Sequence, residues 1–274
     1  MLKFLITLLS FSAMVTALSG CGGGGAKEAR TDPGSDTEPT HAVISPKTLS
    51  ERTKILRDLI DRELKTSSAG RTPKLKFFKT IAPAVVETML VIESERATVI
   101  AYADAEKAGG MIPDALKTGI AFFFKRYKTT GLAELRLRVD AIPLDMLFTQ
   151  SAIESASGLS AVARDCRNLF GVHAADKSQA CPGHSILANY PNFTGSIERY
   201  VLLLNTGSAY RSLRSNRAKL RVSDGEGAAL DSSVLVKGLL PYSERGEAYV
   251  HDVATGIRAD RLDVLYRKFM QKIQ

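Results

Sequence analysis

Glu154 stands in surroundings that suit proton transfer. Between Pro143 and Ser157, the residues Leu147, Ser151 and Glu154 recur at i, i+4 and i+7. On a helix they share one face, so the glutamate lies among apolar and small side chains rather than other charges. Partial desolvation and the negative end of the helix dipole both raise the proton affinity of a carboxyl in a last turn, which is the direction a general acid needs near neutral pH. Ser151, Ser155, Ala156, Ser157 and Gly158 leave open space around it. A solvated glutamate paired with Arg164 is the competing reading of the same residues.

Other groups that could do chemistry lie just downstream. Asp176 is the one acid between Gly171 and Phe193, and suits either a second carboxylate or an ordinary loop turn. Tyr190 offers a hydroxyl or a sugar-stacking face, and equally a core ring. Arg211, Arg214, Arg217, Lys219 and Arg221 fall near helical spacing and read as a solvated face, or as a contact for anionic partners. Cys166 and Cys181 are expected to pair, closing a loop whose constraint stabilises the fold by about 3 kcal/mol. A metal site using His173 and His184 competes with that pairing, but the spacing matches no compact zinc pattern. No metal or cofactor is expected.

The elements that must position these groups read as helices. Ile55, Leu56, Leu59, Ile60 and Leu64 place an amphipathic helix over about Thr48 to Lys65. Thr72-Pro73 opens a long helix to about Lys107, with Pro83 expected to bend it and Gly109-Gly110 to stop it. Further helices follow around Ile120 to Phe124 and Leu132 to Val139, then Pro143 to Ser157, with Gly158 in a left-handed cap, and Leu159 to Arg167. From Gly171 to Phe193 the helical period disappears, and Pro182-Gly183 suggests a small β-hairpin lobe. Helices resume over Gly195 to Leu204, Ala209 to Leu220, Ser232 to Leu239, Glu244 to Ile257 and Arg261 to Lys272.

The N-terminus bears Lys3 followed by a short apolar run, and Leu18-Ser19-Gly20-Cys21 resembles a bacterial lipobox. Residues 1–20 therefore read as a lipoprotein signal peptide, with Cys21 as the lipidation site. Gly22 to Gly25 and the polar stretch behind them make residues 21–45 a flexible tether. Residues 46–139 read as an N-terminal helical extension and 140–274 as the domain that carries the chemistry. No aspartate follows Cys21, so the expected location is the periplasmic face of the outer membrane, held by a lipid anchor. The formal net charge of +8 suits a polyanionic neighbour, and export argues against nucleic acid. The protein is expected to act as a monomer.

Phe148-Thr149-Gln150-Ser151-Ala152-Ile153-Glu154-Ser155, then Gly158 and Asn168-Leu169-Phe170-Gly171, resembles the peptidoglycan endo-β-N-acetylglucosaminidases of glycoside hydrolase family 73. The likeness extends to Asn205, Ala209-Tyr210, Leu213-Arg214, Arg217, Leu220-Arg221, Tyr242-Ser243-Glu244-Arg245-Gly246 and Tyr249-Val250, a combination similar to the Bax-type branch. Val139-Asp140, Ile142-Pro143 and Asp145 fit the same branch, as do Phe77-Phe78 and Pro83. The resemblance implies an α+β fold, mainly α and lysozyme-like with a small β-hairpin lobe. It also implies hydrolysis of the β-1,4 bond on the reducing side of N-acetylglucosamine in peptidoglycan strands. Glu154 would be the catalytic acid and Tyr242 its catalytic helper. Ser155, Asn168, Phe170, Tyr190 and Asp176 are the expected substrate-binding residues. The family's second carboxylate is variable and the substrate's own N-acetyl group can assist. The sequence departs from the family in having Ser157 before the glycine, Val172-His173 after Phe170-Gly171, and no tryptophan. A glycan-binding lipoprotein without activity and a lytic transglycosylase are the alternatives.

Overall fold

The computed structural model describes residues 46–64 and 73–274. The stretches expected as signal peptide and tether, Cys21, Lys65 and Thr72 lie outside the described residues. Eleven helices of the α class are seen among the described residues: α1 Pro46–Glu63, α2 Pro73–Lys107, α3 Asp114–Arg126, α4 Leu132–Arg138, α5 Leu144–Glu154, α6 Ala161–Cys166, α7 Phe193–Thr206, α8 Arg211–Asp224, α9 Ser232–Leu235, α10 Glu247–Ala259 and α11 Leu262–Ile273. Strands β1 Ala180–Cys181 and β2 His184–Ala188 form one antiparallel hairpin between α6 and α7. The fold is mainly α and lysozyme-like with a small hairpin lobe. No described helix is long and apolar enough to cross a membrane.

Helix α5 is buried along nearly its whole length, from Leu144 to Ala152. It can be so because its polar side chains find partners inside, as a buried polar group must. Helix α2 runs for 35 residues and continues through Pro83. It packs against α1, α3, α7 and α5, and Phe78 stacks on Phe148 of α5 at 4.8 Å between ring centroids. Residues on both sides of Asp140 share one apolar core that extends from Leu56 to Phe269. A smaller cluster of Val99, Ile120, Phe123, Tyr127, Leu135 and Val139 ties α3 and α4 to the far end of α2.

Two further contacts set how closely the elements approach. A β-carbon on Gly256 of α10 would stand 2.8 Å from Cγ2 of Thr149, so the missing side chain lets α10 lie directly on α5. At Gly238 it would stand 2.5 Å from Cβ of Leu213, which seats the 3-10 segment Val236–Tyr242 on α8. The sequence places a continuous helix over Ser232 to Leu239, whereas the chain tightens into this 3-10 segment after Leu235.

The basic run on α8 is neither a solvated face nor a patch for anions at its centre. Arg214 and Arg217 are fully buried. Arg214 donates to the carbonyls of Leu204 and Gly207. Arg217 donates to those of Leu137, Asp140 and Ala141. Arg221 binds the Asp140 carboxylate at 2.9 Å, and Arg96 approaches it at 3.3 Å. These guanidiniums satisfy helix-end and loop carbonyls that no helix ladder reaches, and so fix the entry to α5.

Candidate active site

Helix α5 ends sooner than its sequence suggests, at Glu154 rather than Ser157. Ser155 ends it: its hydroxyl donates to the Ser151 carbonyl at 2.5 Å and accepts from the Gly158 amide at 2.8 Å. Three successive left-handed residues follow, Ala156 (φ 52°), Ser157 (φ 56°) and Gly158 (φ 79°). For the two non-glycines this conformation costs roughly 1 kcal/mol each. Hydrogen bonds from Ser157 to the Ala152 carbonyl and from Ser160 to that of Ser155 offset the cost. The strained turn leaves Glu154 as the last helical residue, with its side chain half-buried. Ser155 is therefore a structural cap in this conformation, with its hydroxyl spent on the turn.

Burial is the main influence on Glu154 and raises its proton affinity above that of an ordinary glutamate. The Tyr249 hydroxyl and the Arg245 guanidinium oppose that rise without cancelling it. Tyr249 comes from the first turn of α10 and is buried. Arg245 is exposed at the mouth of this region and pairs with Asp252 at 2.6 Å.

Gln150, one helical turn before Glu154 and fully buried, joins two tyrosines. Its amide nitrogen donates to the Tyr249 hydroxyl at 3.1 Å, and its amide oxygen accepts from the Tyr200 hydroxyl. The rings form a continuous column behind the carboxyl. Phe170 stacks on Tyr200 at 4.0 Å and 5°, Tyr200 meets Tyr242 edge to face at 5.7 Å, and Tyr242 lies over Tyr249 at 5.3 Å. Such pairs hold their members rigidly as well as burying area.

Tyr242, the expected helper, has its hydroxyl donated to the Phe170 carbonyl at 2.7 Å. Both Tyr242 and Tyr249 feel the Glu154 charge. Phe170 is a buried member of the column rather than an open sugar platform. Asn168 is buried, and its side chain is spent within the lobe: Nδ2 donates to the carbonyls of Val172 and Ala188, while Oδ1 accepts from the amides of Phe170 and Val172. That leaves it pinning the lobe to the end of α6 rather than reaching for sugar. Asp176 is exposed and caps the 3-10 turn Lys177–Gln179 by accepting from Ser178, which holds its carboxyl below the usual aspartate range. It behaves as the loop aspartate, not as a second buried acid.

Tyr190 keeps a group in reserve. Its hydroxyl is buried without a hydrogen-bond partner among the described residues, and burial pushes its acidity out to about 12. It lies near enough to Tyr242 for the two hydroxyls to interact. Cys166 and Cys181 form a disulfide with Cα atoms 5.6 Å apart, which ties α6 to β1 and withdraws both sulfurs from metal ligation.

Comparison with known proteins follows the same outline. The model of a glucosaminidase family, described as mannosyl-glycoprotein endo-beta-N-acetylglucosaminidase, matches residues 132–233. Protein bax of Escherichia coli (strain K12) is 30% identical over 198 residues, which is 68% of this chain and 69% of that protein. The chain belongs to the glucosaminidase family, in its Bax-type branch. No solved structure matches it. The family match contains Gln150, Glu154, Tyr190 and Tyr200, whereas Tyr242, Arg245 and Tyr249 lie beyond it. The candidate site is thus assembled from both sides of the match boundary. Tyr200, as a site residue, carries no signal in the sequence beyond helical spacing. Tyr249 does stand in the motif region that carries the family resemblance, seven residues after Tyr242.

Proposed function

We propose that this protein is a peptidoglycan hydrolase, an endo-β-N-acetylglucosaminidase in which Glu154 is the general acid. The observation that carries the reading is a half-buried carboxyl at the end of a buried helix, whose burial raises its proton affinity. A neutral Glu154 protonates the glycosidic oxygen as the bond to C1 breaks, and the positive charge that develops spreads over C1 and the ring oxygen. Asp176 is engaged at a turn, so the substrate's N-acetyl oxygen is the group assigned to C1 on the opposite side. The Glu154 carboxylate then takes a proton from the water that completes hydrolysis. Tyr242 holds the Phe170 carbonyl and the tyrosine column in place. Export through residues 1–20 and anchoring by Cys21 would put this activity at the periplasmic face of the outer membrane.

The test is digestion of purified sacculi followed by mass spectrometry, with Glu154→Gln as the control. The proposed reaction yields fragments with reducing N-acetylglucosamine ends, and the variant loses them by at least about a hundredfold. Anhydromuramic ends would instead identify a lytic transglycosylase. Binding without fragments would leave a glycan-binding lipoprotein. Equal digestion by the Gln variant would remove Glu154 from the mechanism.

A further inference from the structure

Two charges of opposite sign stand unmatched in one cavity. Asp145, in the first turn of α5, is only 1% exposed. Its Oδ1 accepts from the Ser232 hydroxyl at 2.7 Å and from the Met146 amide at 2.8 Å. Its Oδ2 makes no hydrogen bond among the described residues, and no lysine or arginine among them pairs with the carboxyl. A buried carboxylate is ordinarily paired, because the charge has lost its water. Arg258, near the end of α10, meets no carboxylate among the described residues, and its guanidinium reaches only the Thr255 hydroxyl, at 3.5 Å. Both residues line a cavity of about 410 Å³, a size that small-molecule sites share. Its floor is buried and includes Asp145, Ser232, Ile257 and Tyr266, while its rim carries the exposed Asp231, Arg258 and Arg267. The other charges in it are engaged: Arg267 binds Asp263 at 2.9 Å, and Asp231 caps α9 by accepting from the Ser233 amide.

We propose that this cavity binds a small amino-carboxylate, of which a free amino acid is the simplest case, with its ammonium on Oδ2 of Asp145 and its carboxylate on Arg258. One molecule of that class supplies both missing partners. An ammonium has three hydrogens to give and suits a single open carboxylate oxygen, whereas a guanidinium presents a fork that matches a carboxylate. Tyr266 adds a donor: its oxygen accepts from the Leu230 amide at 3.2 Å, and its own hydrogen has no acceptor among the described residues. Val236, Ala254 and Ile257 offer apolar wall to the carbon between the two charges. A metal ion fits less well, since no three acidic, histidine or cysteine side chains among the described residues are grouped to hold one. A simple anion would meet Asp145, Asp231 and Asp263 together. A ligand seated here touches α5, α10, α11 and the start of α9, so it also braces the fold. Neither Glu154 nor the tyrosine column lines the cavity, and the inference stands apart from the hydrolase reading.

The experiment titrates the purified protein with alanine and lysine, and separately with propylamine, propionate and calcium chloride, following backbone amide signals by NMR. At least one of the two amino acids should bind saturably and move the signals of residues 229–236 and 257–267. Propylamine and propionate, which each carry one of the two charges, should bind at least about tenfold more weakly. Asp145→Asn and Arg258→Gln should each weaken the amino acid by a similar factor. Arg258 is exposed, so its variant should fold, and it decides alone should Asp145→Asn not fold. Affinity should also rise between pH 6 and pH 8, because the ammonium needs the ionised Asp145, whose carboxyl burial pushes up to about 7. The groups that face Asp145 across the cavity are Asp231, Asp263, Tyr266, Arg258 and Arg267, and no histidine or cysteine lines it. Failure of both amino acids to bind would overturn the proposal. So would propylamine or calcium binding as tightly as the amino acid, an Arg258→Gln variant that binds like the wild type, or an affinity that stays flat with pH.

Discussion

The ring of Phe77 lies so close to Gly158 that a β-carbon on the glycine would stand 2.8 Å from Cδ2 of the ring. One residue belongs to the long N-terminal helix α2, and the other closes the strained turn after Glu154. The helical segment upstream of the family match therefore touches the turn that follows α5. Gly158→Ala should be strained twice, by its φ of 79° and by this contact, and should lower stability by about 2 kcal/mol or more. Turnover should fall with it, because the backbone carrying Glu154 must shift. Adding Phe77→Ala removes the clash but not the backbone strain. Thermal melts should show the double variant closer to the wild type than the two single losses would predict if summed.

Asn168 offers a way to tell a lobe pin from a sugar contact. All of its hydrogen-bonding partners found here are backbone groups at Phe170, Val172 and Ala188. Asn168→Ala strands those buried groups, each at about 1 to 3 kcal/mol, so the protein should melt several degrees lower. Amides from about 171 to 189 should exchange faster with deuterium. A residue that only held sugar would raise KM and leave both exchange and melting unchanged.

Arg217 should matter to stability rather than to binding. It is fully buried, and it lies at 3.5 Å from the Asp140 carboxylate while donating to the carbonyls of Leu137, Asp140 and Ala141. Its burial pulls the guanidinium down to about 10, against the pull of Asp140. Arg217→Met should destabilise by about 3 to 5 kcal/mol, because it uncovers those carbonyls and leaves Asp140 less compensated. Asp140 itself sits below the usual aspartate range: burial pushes it up, and Arg217, Arg221 and Arg96 more than reverse that. A depressed folded value means that its contribution is present above about pH 4 and is lost as pH falls through that lower value. Asp140→Asn should therefore flatten the acid arm of the stability profile in denaturant titrations.

Much of this was legible before any coordinates. The stripe of Leu147, Ser151 and Glu154 is helical and enclosed, and Pro182-Gly183 does turn a hairpin. What periodicity could not carry was direction and partnership. Spacing marks Arg214 and Arg217 as a polar face, yet they point inward, because helix-end and loop carbonyls at 137 to 141 and 204 to 207 explain their burial. Tyr242 stands out in the motif, but its hydroxyl is claimed by Phe170, a partner 72 residues away. The role of Gln150 needs three helices at once, since its two tyrosines come from α7 and α10.

At the opposite end of α5 from Glu154, Asp145 supplies a prediction about pH. Its side chain is buried and accepts hydrogen bonds from Ser232 at 2.7 Å and from the Met146 amide at 2.8 Å. It borders a cavity of about 410 Å³ shared with Asp263, Tyr266 and Arg267, which is separate from the Glu154 site. Desolvation dominates, Asp263 adds repulsion, and the carboxyl is pushed up to about 7. An acid whose folded value exceeds its unfolded one binds more protons in the native state, so stability must decline as pH rises between the two. The window runs from about pH 4 to about pH 7, with a slope of at most about 1.4 kcal/mol per pH unit and no further loss from this group above it. Asp145→Asn keeps the shape and cannot ionise. Denaturant midpoints measured from pH 4.5 to pH 8 should fall less with pH in the variant than in the wild type. Parallel profiles would show that Asp145 is already charged throughout that range.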